Sequence, residues 1–170
     1  IELPGKQKMI SLAEVQVFQG EENLALKGQA SQSSTDFGGD AKRAIDGNTD
    51  GRYALANSTT HTAISDDPWF ELDLGEARDF QRIILWGRTD NGTEDRLSNY
   101  RLSVLDADRQ VVWKQEVAAA PKPKTEFALD GQRAIPFAQA VADYSQTGFE
   151  PALVLQNKEP KSKGWAIGGQ

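Results

Sequence analysis

Apolar and polar residues alternate with a period of two along much of the chain, whereas helical spacing of apolar residues is scarce. Turn signals rich in glycine, asparagine and aspartate, such as Asp46-Gly47 and Asp130-Gly131, separate the alternating runs. Several short strands at this spacing are typical of an all-β protein, so we expect an antiparallel β-sandwich. The predicted strands lie at 10–18, 70–74, 80–86, 100–105, 111–113 and 127–129.

Short helical turns and one long loop complete the predicted elements. We expect a helical turn at 41–45, AKRAI, and a second one at 137–142, FAQAVA. The stretch EVAAAPKPKTE at 116–126 combines alanine, proline and lysine without strand periodicity. This composition predicts a linker or a long exposed loop.

The last part of the chain, residues 130–170, has little strand pattern, and we expect it to form a C-terminal extension. Its stretch 142–157 is similar to 30–47, since each combines a Ser-Gln pair, an aromatic-glycine turn and a small apolar turn. The similarity indicates either the start of a second, truncated module or a chance match in a tail. The sequence leaves both interpretations open.

Composition narrows the possible functions. A net charge of −6 and a pI of about 4.9 argue against nucleic-acid binding, which normally needs a basic surface. The 38% of apolar residues suffices for a core, but no apolar run approaches the roughly 20 residues that span a membrane. The absence of cysteine excludes a disulfide, a thiolate zinc site and a cysteine nucleophile. The opening IELPGKQKMI is typical of the middle of a strand, so we expect a fragment of a larger protein.

An oxygen-rich stretch is the first candidate site. Calcium accepts about six to eight oxygen ligands from carboxylates, amides, hydroxyls and backbone carbonyls in a tight loop. The spacing is not that of an EF-hand, and an ordinary turn rich in aspartate and asparagine is the alternative. The residues concerned are Asp46, Asn48, Asp50, Asn57 and Ser58.

A cationic group around the single histidine is the second candidate site. Arginine presents a planar fork of donors and imidazole offers one donor and one acceptor, so together they could hold vicinal hydroxyls of a sugar. Tyr53 or Trp86 could add an apolar face. The alternative is surface arginines paired with the acidic residues of the same loop. The polar residues of this candidate are His61, Arg88, Asp90 and Arg96.

These residues resemble the motif of the F-type lectins, the fucose-binding branch of the discoidin-like (coagulation factor type C) domains. That motif is a histidine, 26 residues, and then Arg-X-Asp-X4-Arg/Lys; here 26 residues separate His61 from Arg88-Thr89-Asp90. The resemblance implies a discoidin-like jelly roll in which His61, Arg88 and Arg96 donate to sugar hydroxyls. The other matching stretches are 23–35, 44–53, 58–62, 67–75 and 86–104.

Two departures from the family pattern lie in one loop. Five residues separate Asp90 from Arg96, one more than the pattern has. Asn91-Gly92 stand where the family has two adjacent cysteines, whose disulfide packs on the sugar ring. The alternative function is therefore a non-catalytic interaction or spacer module that has lost sugar binding.

The N-terminal stretch LPGKQKMISLAEVQVF at 3–18 resembles the strands that close an F-type lectin. Since these strands come first here, the resemblance implies a circular permutation, with residues 1–129 as one complete module. It also implies a structural calcium ion. The ligands would be the backbone carbonyls of Ala13 and Arg43 and the side chains of Glu14, Asp46, Asn48 and Ser58.

The chain is also similar to modules of large multidomain bacterial proteins of the planctomycete type, which implies an extracellular, cell-surface or periplasmic location. We expect glycans that contain fucose or a related sugar, together with other domains of the parent chain, as partners. We expect no enzyme activity. Glu71 and Asp73 alternate on one predicted strand, and no serine shows the strand-to-helix pattern of a catalytic nucleophile.

Overall fold

A computed structural model describes residues 1–129, so the expected helical turn at 137–142 and the extension at 130–170 lie outside the described residues. The described part contains short strands, three 3-10 turns and one four-residue helix. The 3-10 turns are Leu24–Lys27, Ala41–Ile45 and Glu94–Leu97, and the helix, α1, is Tyr53–Ala56. The strands are β1 (Leu12–Gln19), β2 (Glu22–Asn23), β3 (Gln29–Gln32), β4 (Phe70–Asp73), β5 (Arg82–Gly87), β6 (Tyr100–Leu105), β7 (Val111–Val117) and β8 (Lys124–Ala128).

The strands form an antiparallel β-sandwich, as the alternation predicts. One sheet has the order β2-β1-β5-β8, and the pairs β3-β4 and β6-β7 complete the fold. Strand β5 reads as a continuous apolar run because it is central, with β1 on one side and β8 on the other. Its Ile83 and Leu85 enter a shared core with Phe70 of β4 and Tyr100 of β6.

The N-terminal segment is part of this core. Leu3, Ile10 and Leu12 are fully buried, and β1 lies between β2 and β5. A β-bulge interrupts the pairing of β1 with β5 between Leu12 and Glu14. Beyond the bulge the pairing is regular, and because successive side chains of a strand alternate, Glu14 faces away from the side that carries Val15.

Several sequence predictions are confirmed and one is wrong. Strands occur near the predicted positions, and the turn at 41–45 is present as a 3-10 helix. The linker or exposed loop predicted at 116–126 is wrong at both ends, since β7 continues to Val117 and β8 begins at Lys124. Even the connection between them is anchored, because Ala120 and Pro121 are buried. The polar side chains of these strands face solvent and hide the strand pattern.

Within residues 1–129, no helix is long and apolar enough to cross a membrane. The only α-helix in this range has four residues.

Candidate functional site

The segment 58–62 places the single histidine. It runs beside residues 10–12, where Thr60 N–H donates to the Leu12 carbonyl at 2.8 Å and Thr62 N–H donates to the Ile10 carbonyl at 3.0 Å. The two threonine hydroxyls accept from the same two residues, Ile10 N–H at 2.8 Å and Leu12 N–H at 3.0 Å. These paired bonds satisfy the buried hydroxyls of Thr60 and Thr62 and fix the backbone on both sides of His61.

The ring of His61 is held in one tautomer. Its Nδ1 lies 2.8 Å from the Thr62 carbonyl oxygen, which can only accept, so Nδ1 carries the proton and Nε2 is the acceptor of the neutral ring. Only 5% of the residue is exposed, and this burial lowers the pKa of His61. The charges of Arg88 and Arg96 lower the pKa further, whereas the Thr62 carbonyl and Asp36 oppose the shift.

Gly39 allows the chain to pass close to the histidine. The Gly39 carbonyl accepts from His61 N–H at 2.9 Å, and a Cβ on Gly39 would lie 2.3 Å from that nitrogen. A larger residue would therefore push the two segments apart. Sequence reasoning missed this glycine, because Gly38-Gly39 reads as an ordinary turn.

Arg88 follows β5 directly and is 8% exposed. Its Nε donates to Asp90 Oδ1 at 2.5 Å, and its guanidinium carbon lies 4.8 Å from the centre of the Tyr53 ring. No residue in the range 1–129 accepts from the terminal N–H groups of this guanidinium. A nearly buried arginine with free donors can bind an incoming oxygen ligand.

Asp90 joins this arginine to the first turn of α1. Its Oδ2 accepts from Ala54 N–H at 3.1 Å while Oδ1 accepts from Arg88. Burial alone would raise the pKa of Asp90, but the bonds from Arg88 and Ala54 outweigh it, so the pKa is lowered. Since both oxygens are engaged by the protein, Asp90 holds the site together.

The loop from Asp90 to Arg96 accommodates its extra residue. Asn91 and Gly92 both have positive φ, 59° and 66°, which asparagine and glycine adopt at low cost. Thr93 Oγ1 then donates to the Asp90 carbonyl at 2.7 Å, and Arg96 N–H donates to the Thr93 carbonyl at 3.0 Å. The turn returns the chain so that the charge of Arg96 acts on His61.

The alternative of surface arginines paired within this loop holds only for Arg88. Asp95 forms its ion pair with Lys122, at 2.7 Å. Arg96 is exposed and makes no salt bridge with any residue that the structure describes. Its guanidinium is therefore available to a ligand.

Two aromatic rings border the histidine. The Tyr53 ring centre lies 5.9 Å from the His61 ring centre, and the Phe37 ring meets His61 edge-on at 5.1 Å. Phe37 is 71% exposed, and its carbonyl accepts a hydrogen bond from the Tyr53 hydroxyl. Tyr53 was predicted for this site, whereas Phe37 was missed because nothing in its turn sequence marks it. Trp86 lies elsewhere, where its indole donates to Gln16.

A second polar site surrounds Glu14. This residue is fully buried; one carboxylate oxygen accepts from Gly47 N–H at 3.1 Å, and the other has no partner in the described part of the chain. Burial, reinforced by the charge of Asp46, raises the pKa of Glu14 to about 7. A buried carboxylate oxygen without a donor beside a second carboxylate fits a bound cation.

The loop that covers Glu14 is built from the predicted oxygen donors. Asp46 accepts from Asn48 N–H at 2.8 Å, and Asn48 accepts from Asp50 N–H at 3.0 Å. Ser58 closes the loop with a hydrogen bond to the Asp50 carbonyl. The structure thus brings Asp46 to Glu14, while the Ser58 hydroxyl contacts Asp50.

The remaining predicted ligands are Ala13 and Arg43. Ala13 is fully buried at the bulge of β1, and Arg43 lies in the 41–45 turn with its side chain on Asn57 at 2.8 Å. In residues 1–129, no three histidine, cysteine or carboxylate side chains group as metal ligands. A cation at Glu14 would therefore also need amide, hydroxyl and backbone oxygens, a donor set that calcium accepts.

The carboxylates considered for catalysis are engaged elsewhere. Glu71 binds Arg109 through both oxygens, at 3.1 and 2.8 Å, and the hydrogen bond from Arg109 lowers the pKa of Glu71. Asp73 accepts from the Gly75 N–H at 2.8 Å.

Comparison with known proteins places this architecture in a family. Residues 43–145 match the F5/F8 type C domains described as NedA-like, galactose-binding domains. A search of curated proteins found no significant match. Three solved structures are similar to the chain over about two thirds of its length. Each is described as a lectin, a lectin domain or a fucose-binding module.

The first is a mutant of the lectin-binding domain of lectinolysin complexed with Lewis b, with 38% identity and a TM-score of 0.61 over 66% of this chain and 78% of that one. The second is a fucose-binding module of Streptococcus pneumoniae, SpX-3, with 32% identity and a TM-score of 0.60 over 64% and 77%. The third is the F-lectin (fucolectin) from striped bass (Morone saxatilis) serum, with 32% identity and a TM-score of 0.53 over 64% and 38%. The chain has the fold of these lectin modules and belongs to the F5/F8 type C family of NedA-like, galactose-binding domains.

Proposed function

We propose that the protein is a calcium-stabilised carbohydrate-binding module that recognises fucose or a closely related sugar. One observation carries the proposal: a nearly buried Arg88, fixed by Asp90, keeps its terminal N–H groups free beside the Tyr53 ring that borders His61. These N–H groups are not among the buried polar atoms that lack a partner, so solvent reaches them and a ligand oxygen can replace water there. A sugar with adjacent hydroxyls supplies the acceptors that this arrangement lacks.

The three polar residues divide the recognition between donors and an acceptor. Arg88 and Arg96 donate to hydroxyl or ring oxygens of the sugar. His61 accepts a hydroxyl proton through Nε2, because its Nδ1 proton is committed to the Thr62 carbonyl. A sugar that is the wrong epimer leaves one of these groups unpaired. This loss is the source of selectivity among sugars.

The exposed Phe37 supplies an apolar face beside this polar group. Its ring stands edge-on to His61, and most of its surface is available. An aromatic face packs well on the apolar side of a sugar ring or on a methyl group. The Phe37 ring would replace the apolar platform that the cysteine pair of the family provides, which is missing at Asn91-Gly92.

The similar structures support fucose-containing glycans as the class of ligand. The structures similar to this chain include a fucose-binding module and a lectin domain complexed with the Lewis b antigen. We therefore propose glycans with terminal fucose or a related sugar as partners, and an extracellular, cell-surface or periplasmic location where such glycans occur. The module binds its ligand without catalysis.

Calcium has a structural role in this proposal. It would neutralise the buried carboxylate of Glu14 and the neighbouring Asp46, and it would tie the 46–58 loop to β1. The ligands would be the carbonyls of Ala13 and Arg43 and the side chains of Glu14, Asp46, Asn48 and Ser58.

A glycan array followed by titration calorimetry, each with calcium and with a chelator, tests the proposal. We expect binding of fucose-containing glycans, and we expect His61→Ala to lose it. Arg78→Ala serves as the matched control, since it removes an exposed charge that is paired with Glu76 on the surface. A wild-type protein that binds no glycan in the presence of calcium, or a His61→Ala protein that binds as well as wild type, contradicts sugar recognition at this site.

The altered loop favours one alternative, a spacer or interaction module that keeps the scaffold without the sugar site. Asn91 and Gly92 are exposed and polar where an apolar platform would stand. Such a module would still gain thermal stability from calcium. The same array separates the two functions, because only the lectin binds glycans.

A further inference from the structure

Tyr53 contacts three parts of the candidate sugar site at once. Its ring lies under the guanidinium of Arg88 at 4.8 Å and beside the ring of His61 at 5.9 Å. Its hydroxyl donates to the carbonyl of Phe37. The side chain thus joins α1, the strand end that carries the arginine, and the turn that carries the exposed phenylalanine.

The Phe37 turn needs such support. Phe37 has a φ of 48°, a left-handed conformation that a bulky residue rarely adopts without restraint. Asp36 Oδ1 accepts from Phe37 N–H at 2.8 Å, and Gly39 N–H donates to the Asp36 carbonyl at 2.9 Å. Backbone bonds between Asp36 and His61 and between His61 and Gly39 hold this turn on one side, and the Tyr53 hydroxyl adds a bond to it from α1.

The cationic side of the site depends on the same residue. Asp90 binds the Nε of Arg88, and the guanidinium carbon lies over the Tyr53 ring. A cation over an aromatic face is attracted by the ring, and more strongly where water is excluded, as it is around this nearly buried side chain. The ring therefore restricts where the free N–H groups of Arg88 can point.

We propose that Tyr53 is a positioning residue that sets the separation between Arg88 and the Phe37 ring, and thereby decides which substituent of the sugar fits between them. The inference rests on the proposed function and assigns Tyr53 a role through other residues in place of direct contact with the sugar. The ring orders Arg88, on which binding of any sugar depends. The hydroxyl orders Phe37, which distinguishes a methyl group from a hydroxymethyl group.

Two substitutions separate these contributions. Tyr53→Phe keeps the ring and removes only the bond to the Phe37 carbonyl. Tyr53→Leu removes the ring as well and leaves Arg88 without its aromatic partner. L-Fucose and L-galactose are the matched ligands, since they differ only by a methyl and a hydroxymethyl group at one carbon.

Titration calorimetry on the calcium-loaded proteins measures the affinities. We expect Tyr53→Phe to keep the affinity for L-galactose and to reduce the preference for L-fucose by about tenfold, the scale of one apolar group in a pocket. We expect Tyr53→Leu to lower the affinity for both sugars, by about fivefold more than Tyr53→Phe does. Phe37→Ala should lose the same preference as Tyr53→Phe, and the double variant should lose no more than either single variant.

The single histidine of the chain gives a second readout that needs no sugar. In a protein without a histidine tag, nuclear magnetic resonance follows one imidazole through a pH titration. Tyr53→Leu uncovers the His61 ring, whose burial is the largest cause of its lowered pKa, and releases the guanidinium whose charge lowers that pKa further. The pKa should therefore rise in Tyr53→Leu, whereas Tyr53→Phe should leave it near the wild-type value.

The outcomes separate the inference from the function beneath it. A wild-type protein that binds neither sugar removes the proposed function, and the inference with it. A wild-type protein that prefers L-fucose, together with a folded Tyr53→Phe variant that keeps this preference in full, overturns the positioning role alone. An unchanged His61 pKa in Tyr53→Leu overturns the ring's effect on Arg88.

Discussion

His61 makes the protein sensitive to acid, because burial holds its pKa below the ordinary value of about 6.5. The unfolded chain then binds a proton at a higher pH than the folded one. The stability from this group is therefore complete above pH 6.5 and decreases as the pH falls from there to the folded pKa. The charged groups around it are Arg88 and Arg96, which lower the pKa, and Asp36, which raises it.

Between pH 7.5 and 5.5 we expect the free energy of unfolding in urea to fall further, or rise less, in wild type than in His61→Gln, because Glu14, whose raised pKa of about 7 acts in the opposite direction, is common to both proteins. Sugar affinity should fall over the same range, because a protonated Nε2 cannot accept. His61→Gln provides the comparison, since glutamine does not titrate in this range. Stability curves of wild type and His61→Gln that change in parallel with pH would contradict this prediction.

Asp90 supports a prediction about the arginine that it holds. Asp90→Asn leaves the nearly buried guanidinium of Arg88 without its counter-charge. Breaking a buried pair from one side costs about 3–5 kcal/mol, and the slight exposure of both groups lowers our expectation to about 2 kcal/mol. Urea unfolding measures the loss. Asp95→Asn is the control, because the pair between Asp95 and Lys122 is exposed, and it should change the free energy of unfolding by less than about 1 kcal/mol. Equal losses in the two variants would show that the Arg88 pair contributes no more to stability than an exposed pair.

At the scale of elements, the 46–58 loop connects the two candidate sites. It covers Glu14 through Gly47 N–H and reaches the arginine segment twice, where Thr89 N–H donates to the Gly51 carbonyl at 2.9 Å and Ala54 N–H donates to Asp90. A cation that orders one end of this loop would therefore order Arg88 at the other end.

Thermal unfolding of Glu14→Gln tests whether a cation binds at the Glu14 end of this loop. We expect millimolar calcium to raise the midpoint of wild type and to leave that of Glu14→Gln nearly unchanged, since ligand binding to the folded state alone stabilises it. Without calcium the variant should be at least as stable as wild type, because it buries no carboxylate. Glu22→Gln changes an exposed carboxylate and is the control. An equal gain in Glu14→Gln would exclude Glu14 as a ligand.

The sequence predicts strands whose apolar side chains alternate into the core, and it misses elements made of other residues. Strand β3, QASQ, pairs with β4 through backbone bonds although its side chains are mainly polar or small. Helix α1 buries none of its residues and ends at Asn57 in the left-handed conformation, so no periodicity marks it. Such elements are specified by their neighbours.

The candidate site divides in the same way. Side chains with distinctive chemistry, His61 and Arg88, stand out by type and spacing. Gly39 and the N–H of Ala54 contribute through backbone proximity, which depends on how loops meet. The position of Phe37 beside His61 follows from a left-handed turn that single-residue preferences disfavour.

The charge of the whole molecule predicts which glycans the site rejects. The chain carries a net charge of −6, and within the site the charge of Arg88 is already balanced by Asp90 at 2.5 Å. Little attraction remains for a polyanion, because of the two arginines of the histidine site only Arg96 lacks a counter-charge among residues 1–129. Hydrogen bonds to neutral hydroxyls depend weakly on ionic strength, whereas attraction between exposed charges is screened within about 10 Å at 0.1 M salt. We therefore expect fucose affinity to change less than about twofold between 0.05 and 0.5 M sodium chloride. Sulfated glycans without fucose should give no signal on the same array, and strong, salt-sensitive binding of such a glycan would assign the arginines to anion recognition instead.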